Sequence, residues 1–317
     1  MRTITALFVG LGSIGTRHLK NLANLCADRG WTLQADALRS DLTRPLRPGA
    51  AELLHAQYTD LAAAPAHYDM VFITNPTSLH AEALRQVKGR GEALFIEKPI
   101  FSAEQTGLAL DELLPAGQKA YVAAPMRWCG AMLALKDQLP GLHPYCARVI
   151  CSSYLPDWRP GVDYRTVYSA RKALGGGVTI DLIHEWDYLV ELFGVPEKLY
   201  NFKGTYSELE IDSDDLSVYI AKYPTLLAEV HLDYFGRGYR RSIELFCRDG
   251  SYLADFGKGT LTLPDGTVQH YEEDVNRRYE REMEYFVDYA LTGCGESCNP
   301  PALALKVLKL TLGENVQ

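Results

Sequence analysis

Ile4-Thr5-Ala6-Leu7-Phe8-Val9 runs directly into Gly10-Leu11-Gly12-Ser13-Ile14-Gly15, and the reading of that junction decides the fold. The apolar run predicts a short buried strand. The segment Ile14 to Ala27 predicts a helix with Leu19, Leu22 and either Leu25 or Cys26 turned inward. Glycines between them allow a tight turn, close approach of a pyrophosphate and close packing of helix on strand, while the helix N-terminus favours the phosphate charge. A strand before and a helix after make this a dinucleotide site, with Gly10, Gly12, Ser13, Ile14 and Gly15 as the phosphate contacts.

The second strand, Leu33 to Leu38, bears on which dinucleotide. NAD sites usually end this strand in an acid that binds the ribose 2′-hydroxyl. Here the end reads Ala37-Leu38-Arg39-Ser40, and a guanidinium with a hydroxyl suits a 2′-phosphate, so NADP is favoured. Asp36 within the strand and Asp41 just past it keep NAD open under a shifted register.

Strands at Met70–Thr74, Leu94–Ile96 and Tyr121–Ala124, with a helix over Ser78–Val87, continue the βαβ rhythm of a parallel sheet covered on both faces. One strand ends in Glu97-Lys98-Pro99. Proline removes a donor and biases Lys98 toward extended backbone, so two opposite charges stand at the sheet edge, where open α/β sheets bind ligands. Alone, such a tripeptide reads first as a surface ion pair in a turn. The glycine turn upstream favours the cleft.

After Pro125 the pattern changes. A helix over Ala131–Gln138 and a strand over Ala147–Ser153 precede a long aromatic and basic segment, Tyr154 to Lys172, and a helix from about Thr179. Strands then fall near Leu216–Ala221, Leu227–Leu232, Arg241–Cys247 and Ser251–Asp255, with turn signals at Asp249-Gly250 and Asp265-Gly266; helices over Tyr279–Leu291 and Ala302–Leu312 close the chain. The expected fold is α/β: a dinucleotide-binding Rossmann domain over residues 1–124, then an α/β domain over 125–317 with a large, mostly antiparallel open sheet.

The 317 residues, 47% hydrophobic and 23% charged, fit a soluble two-domain protein. A net charge of −8 argues against nucleic acid or an anionic membrane as the main partner. No apolar stretch reaches the length of a membrane span, and no export signal precedes the first strand, so a cytoplasmic protein is expected. Seven cysteines form no disulfide framework, and Cys294…Cys298 lacks a second pair or a nearby histidine, so no metal is expected.

With Gly10 to Gly15, Asn75-Pro76-Thr77-Ser78-Leu79-His80, Glu97-Lys98-Pro99 and Gly175-Gly176-Gly177-Val178-Thr179-Ile180-Asp181 in order, the chain resembles the Gfo/Idh/MocA oxidoreductases over nearly its whole length. The resemblance implies hydride transfer between a nicotinamide and a carbon of a sugar, cyclitol or related compound. It also implies a homodimer or homotetramer formed through the second-domain sheet. It places Asn75 and Pro76 in the cofactor cleft with His80 nearby, Glu97 on the nicotinamide ribose, and Lys98 facing nicotinamide and substrate. Asp181 and His184 match the substrate-domain acid and histidine. The family pattern usually has three residues between them, whereas this chain has only Leu182 and Ile183. On a helix that change turns one side chain by about 100° relative to the other.

Leu182, Trp186, Leu189 and Phe193 form an apolar stripe; Asp181, His184, Asp187, Tyr188 and Glu191 fall on the opposite face, either solvated or turned to a cleft. Three glycines before the helix favour the cleft, since they let backbone approach a ligand. Trp158, Arg159, Tyr168 and Arg171, with Arg127, are candidate substrate contacts: rings stack on sugars, and guanidinium groups grip carboxylate or phosphate. The segment, the glycines and the short spacing together resemble a branch acting on bacterial surface sugars, including sialic-acid-like ones. The expected enzyme oxidises a secondary alcohol of a sugar, sugar acid or nucleotide sugar, or reduces the ketone. Lys98, His184 and Asp181 are its catalytic residues. The alternative is a non-catalytic NADP-binding regulator or scaffold of the same fold.

Overall fold

In the computed structural model, which describes residues 2–292 and 295–316, the opening apolar run is β1 (Thr3–Val9) and the periodic segment behind it is α1 (Ser13–Asp28). There follow β2 (Thr32–Leu38), β3 (Leu54–Tyr58), β4 (Tyr68–Ile73), α2 (His80–Gln86), β5 (Gly91–Ile96), α3 (Leu110–Leu113) and β6 (Lys119–Val122). The six strands pair in parallel in the order β3-β2-β1-β4-β5-β6. The order reverses between β1 and β4, and in such sheets the crevice opens beyond the carboxyl ends of those strands. β3 escapes the sequence reading because Leu-His-Ala-Gln-Tyr on an edge carries too little apolar character to announce a strand.

The second unit holds α4 (Gly130–Gln138), β7 (Cys146–Tyr154), α5 (Val178–Asp181), α6 (His184–Phe193), β8 (Lys198–Gly204), β9 (Leu216–Lys222), β10 (Leu227–Asp233), β11 (Phe235–Cys247), β12 (Gly250–Asp255), β13 (Thr260–Thr262) and β14 (Val268–His270). Its eight strands run in the order β14-β13-β12-β11-β7-β10-β9-β8. Only the β7–β10 pair is parallel. One face buries Ala147, Val149, Val230, Leu232, Ile243 and Leu245, with Trp186 of α6 set edge-on to Tyr219 of β9 at 5.2 Å. β8 at one edge and the short β13 and β14 at the other were not legible beforehand: a frayed edge needs few apolar residues.

The last helices are α7 (Val275–Thr292) and α8 (Pro301–Thr311). They correct the expected domain division. One unit is Met1–Ala124 with Tyr279–Leu305, and the other is Pro125–Arg278 with Lys306–Gln317. The chain returns because α7 supplies Met283, Phe286, Val287 and Ala290 to the core of the first unit. There Phe286 meets Phe72 and Phe95 edge-on at 5.4 and 5.2 Å. Buried Glu282 accepts from Tyr121 Oη at 2.8 Å and from the Ala124 N–H at 2.6 Å. Among the described residues no helix is long and apolar enough to cross a membrane. Cys294 lies outside the described residues, so the Cys294…Cys298 spacing has no structural reading here.

Candidate functional site

Each glycine of the opening turn has a separate cause. Gly10 has φ +85°, and a Cβ there would stand 2.7 Å from the Asn75 Cα. At Gly15 a Cβ would meet the Gly10 carbonyl and Thr74 Oγ1, both at 2.7 Å. Those two glycines are required by protein packing. Gly12 is different: a Cβ there meets nothing within 4 Å, and the residue caps α1 with no side-chain bond and no acid in the first turn. Gly12 and Ser13 are exposed at the start of this sixteen-residue helix, at the positive end of its dipole, an arrangement that suits a phosphate.

The neighbouring loops are fastened to this turn. Thr74 Oγ1 donates to the Gly10 carbonyl at 2.5 Å, and Gly10 N–H donates to the Leu38 carbonyl at 3.0 Å. The His80 ring is 1% exposed, with Nε2 3.0 Å from the Asn75 carbonyl and Nδ1 3.1 Å from that of Ile100. Burial holds its pKa below the ordinary value, against the pull of those carbonyls. His80 thus pins the Asn75 backbone to the loop after β5, with both ring nitrogens at backbone carbonyls. Asn75 Oδ1 is buried with no partner among the described residues. Pro76 is exposed beside it.

Beyond β2, Arg39, Arg44 and Arg47 line a cavity of about 420 Å³ together with Glu52 and Gln57. Arg39 is oriented by Gln57 Oε1, 2.7 Å from its Nη1, and by the Arg44 carbonyl; Ser40 is exposed. The acidic alternatives are engaged elsewhere. Asp36 is buried and accepts from Tyr68 Oη at 2.8 Å, with His55 Nδ1 at 3.2 Å. Asp41 closes its own turn onto the Thr43 N–H and hydroxyl, bonds that hold its carboxyl below the usual range. Arg44 and Arg47 were missed, although Thr43-Arg44-Pro45-Leu46-Arg47-Pro48 is a visible basic run after the strand.

The tripeptide at the end of β5 is not the ion pair its sequence suggests. Glu97 is buried and turns to His18, whose Nε2 lies 2.5 Å from Oε1, while its Oε2 accepts the backbone N–H of Lys98 at 3.1 Å. Burial pushes this carboxyl up, but the His18 hydrogen bond and charge, with Lys98, more than offset it and hold Glu97 below its ordinary value. The Lys98–Pro99 peptide is cis. Lys98 is half-buried, and among the described residues no acceptor takes its ammonium.

In the second unit two of the three adjacent glycines, Gly176 and Gly177, serve packing. A Cβ on Gly176 would lie 2.0 Å from the Tyr168 carbonyl, and one on Gly177, at φ +131°, 2.3 Å from Asp214 Oδ1. Asp214 in turn accepts the Thr179 N–H at 2.9 Å. The expected approach to a ligand is thus replaced by an approach to residues 168–169 and Asp214. The expected single helix is two: α5 ends at Asp181, Leu182 and Ile183 turn, and His184 opens α6. This break decouples Asp181 from His184, so the one-residue shortening does not act as a rotation on one continuous helix. Asp181 Oδ2 accepts from buried Tyr234 Oη at 2.6 Å, and burial, then the Asp181 charge, push that phenol far up. Nothing in sequence could have linked residues so far apart.

The polar face expected on that helix is mostly internal. Asp187 takes Arg127 Nη2 at 2.7 Å and Nε at 3.1 Å, and Glu191 takes Arg127 Nη1 at 2.6 Å. Arg127, with 3% of its side chain exposed, is therefore removed from the substrate contacts by its own ion pairs. Glu185, fully buried, holds Arg241 at 2.7 Å. Trp158 donates Nε1–H to Ser153 Oγ at 3.0 Å and stands edge-on to Tyr234 at 5.2 Å, leaving 38% of its surface free. Arg159 lies 5.9 Å from the centre of the Tyr168 ring. Arg171 is half-exposed, with Asp212 4.0 Å away.

Residues 4–123 match a family model described as oxidoreductase family, NAD-binding Rossmann fold (GFO_IDH_MocA). The chain is 24% identical over 308 residues to an uncharacterized oxidoreductase, YrbE, of Bacillus subtilis, covering 90% of this chain and 86% of that protein. It is 28% identical over 201 residues to the inositol 2-dehydrogenase of Rhizobium meliloti, covering 61% of this chain and 56% of that protein. An oxidoreductase from Agrobacterium radiobacter, solved with NAD+, L-tartaric acid and magnesium, shares the fold with a TM-score of 0.80 at 17% identity, covering 98% of this chain and 95% of that one.

Proposed function

We propose that the chain, whose residues 4–123 match the Gfo/Idh/MocA oxidoreductase model, is an NAD(P)-dependent dehydrogenase or reductase of that family acting on a CH–OH group of a cyclitol, sugar or sugar acid. Lys98 carries the reading: a half-buried ammonium at the strand end, with no acceptor of its own among the described residues, is a charge held for a ligand. The inositol dehydrogenase relative supports the substrate class.

The residues present fit a dinucleotide: Gly12 leaves open room at an uncapped helix start. Gly10, Gly12, Ser13, Ile14 and Gly15 would hold the pyrophosphate, Asn75 and Pro76 would line the cleft, and Glu97 would accept from the nicotinamide ribose. NADP is the preferred form: Arg39 with Ser40, joined by Arg44 and Arg47, offers cations where a 2′-phosphate would lie, and Asp36 and Asp41 already have partners. Bound nicotinamide supplies the hydride acceptor or donor. Lys98 stabilises negative charge developing on the substrate oxygen. His184 exchanges the proton of the hydroxyl, a role an imidazole can serve in either direction. Asp181, steadied by Tyr234, orients a substrate hydroxyl. Trp158, Arg159, Tyr168 and Arg171 would contact the rest of the substrate. The open face of the eight-stranded sheet would pair with a second copy, since Tyr200, Phe202 and Ile220 stand exposed on it.

The test is the nicotinamide absorbance band, followed with NADP or NAD across inositols, hexoses, uronic acids and nucleotide sugars. Turnover of at least one class is expected, faster with NADP. Cofactor binding without turnover of any substrate would sink the enzymatic reading.

A further inference from the structure

We propose that His18 is a positioning residue: from the second turn of α1 it holds the Glu97 carboxylate and ties the phosphate turn to the strand end that carries Lys98. His18 lies three residues past Gly15, has no exposed surface, and reaches Glu97 Oε1 at 2.5 Å. Its other nitrogen, Nδ1, is buried with no partner among the described residues. An orphaned buried polar atom costs stability, so a histidine retained for the core alone would be a poor choice there. The single contact with Glu97 accounts for it.

The ring plane is set by Phe95 at 4.7 Å and Tyr279 at 6.1 Å, one from β5 and one from α7. Glu97 is then gripped on both oxygens, by His18 on one and by the Lys98 N–H on the other. Each oxygen keeps a further lone pair for a ligand hydroxyl. Held this way, the carboxylate is fixed without a hydrogen bond from the ammonium of the adjacent Lys98. The charged and titratable groups facing Glu97 are His18 from α1, Lys98 beside it and His80 from α2 through its field, with the Tyr279 ring of α7 packed on His18. Without His18, burial of Glu97 is opposed by Lys98 alone. The carboxyl then takes up a proton nearer neutrality or swings to the ammonium.

This inference rests on the cofactor reading above, and the experiment separates the two. NADPH dissociation constants are measured by fluorescence for the wild type, H18L, H18Q, E97Q and the H18L/E97Q pair, from about pH 5.5 to about pH 8. In H18L, binding weakens about tenfold more at the acid end than in the wild type, and this acid limb disappears in the double variant, where residue 97 cannot titrate. H18Q, which keeps a donor toward Glu97, recovers most of the affinity. An H18L profile parallel to the wild type, or an acid limb that survives E97Q, overturns the role of His18. If H18L does not fold, H18Q decides: a pH-independent loss as large as that of E97Q overturns the proposal. Failure of the wild type to bind NADPH or NADH overturns the cofactor reading, and the inference with it.

Discussion

Lys98 in the first unit and Arg127 in the second carry the same charge in opposite circumstances. Lys98 follows β5, and among the described residues no acceptor takes its ammonium. Arg127 is locked between Asp187 and Glu191, and Glu191 also takes Lys136. Their carboxylate neighbours diverge as well. Glu97 is held below its ordinary value by His18 and Lys98, whereas burial pushes Asp187 up despite Arg127. A buried ion pair is a structural commitment: its partners are desolvated together, and neither is available to a ligand. A cation left without a partner at a sheet edge is one whose partner comes from outside.

The largest expected effect is on the structural side of that contrast. R127L leaves buried Asp187 without its partner and Glu191 with Lys136 alone, and urea unfolding should show a loss of about 3–5 kcal/mol. A loss under about 1 kcal/mol would return Arg127 to the list of substrate contacts. On the other side, K98M should lower kcat about 10²–10³-fold while NADPH affinity changes little, as expected of a charge felt mainly in the transition state. A fall in affinity with unchanged kcat would make Lys98 a cofactor clamp.

The glycines extend the comparison. G12A adds a methyl where there is open space, so stability should change by no more than about 1 kcal/mol while NADPH binding weakens about tenfold. Equal affinity would mean that no phosphate meets that turn. The smallest effect belongs to the basic cavity: R44A/R47A should narrow the ratio of NADP to NAD affinity about tenfold through the loss of charge-assisted bonds. An unchanged ratio would leave Arg39 and Ser40 as the only candidates.

Much of the first unit was legible because its signals are local. Alternation of apolar runs with periodic segments marks strands and helices, and Gly10, Gly12 and Gly15 sit within one turn of each other. The edge strand β3 was hidden by its polar composition. Polar chemistry was less legible. His18 and Glu97 are 79 residues apart in the chain, and Tyr234 and Asp181 are 53 apart. The triple glycine had two explanations, a ligand or a neighbouring backbone, and the Tyr168 carbonyl beside Gly176 supplies the second. The helical wheel gave α6 a polar face, solvated or turned to a cleft, yet Asp187 and Tyr188 of that face are buried.

The sequence by itself determined the βαβ order, the phosphate turn, the family resemblance and the strand end that carries Lys98. All of these follow from backbone preference and apolar spacing, which act over a few residues. Only the tertiary structure decided which charges are free. It gave Asp36, Arg127 and Glu185 internal partners, aimed Glu97 at His18, and brought α7 back to the first unit. Electrostatic pairing is short-ranged in space and indifferent to separation along the chain. Whether a side chain does chemistry or holds the fold is therefore settled by what folding places beside it.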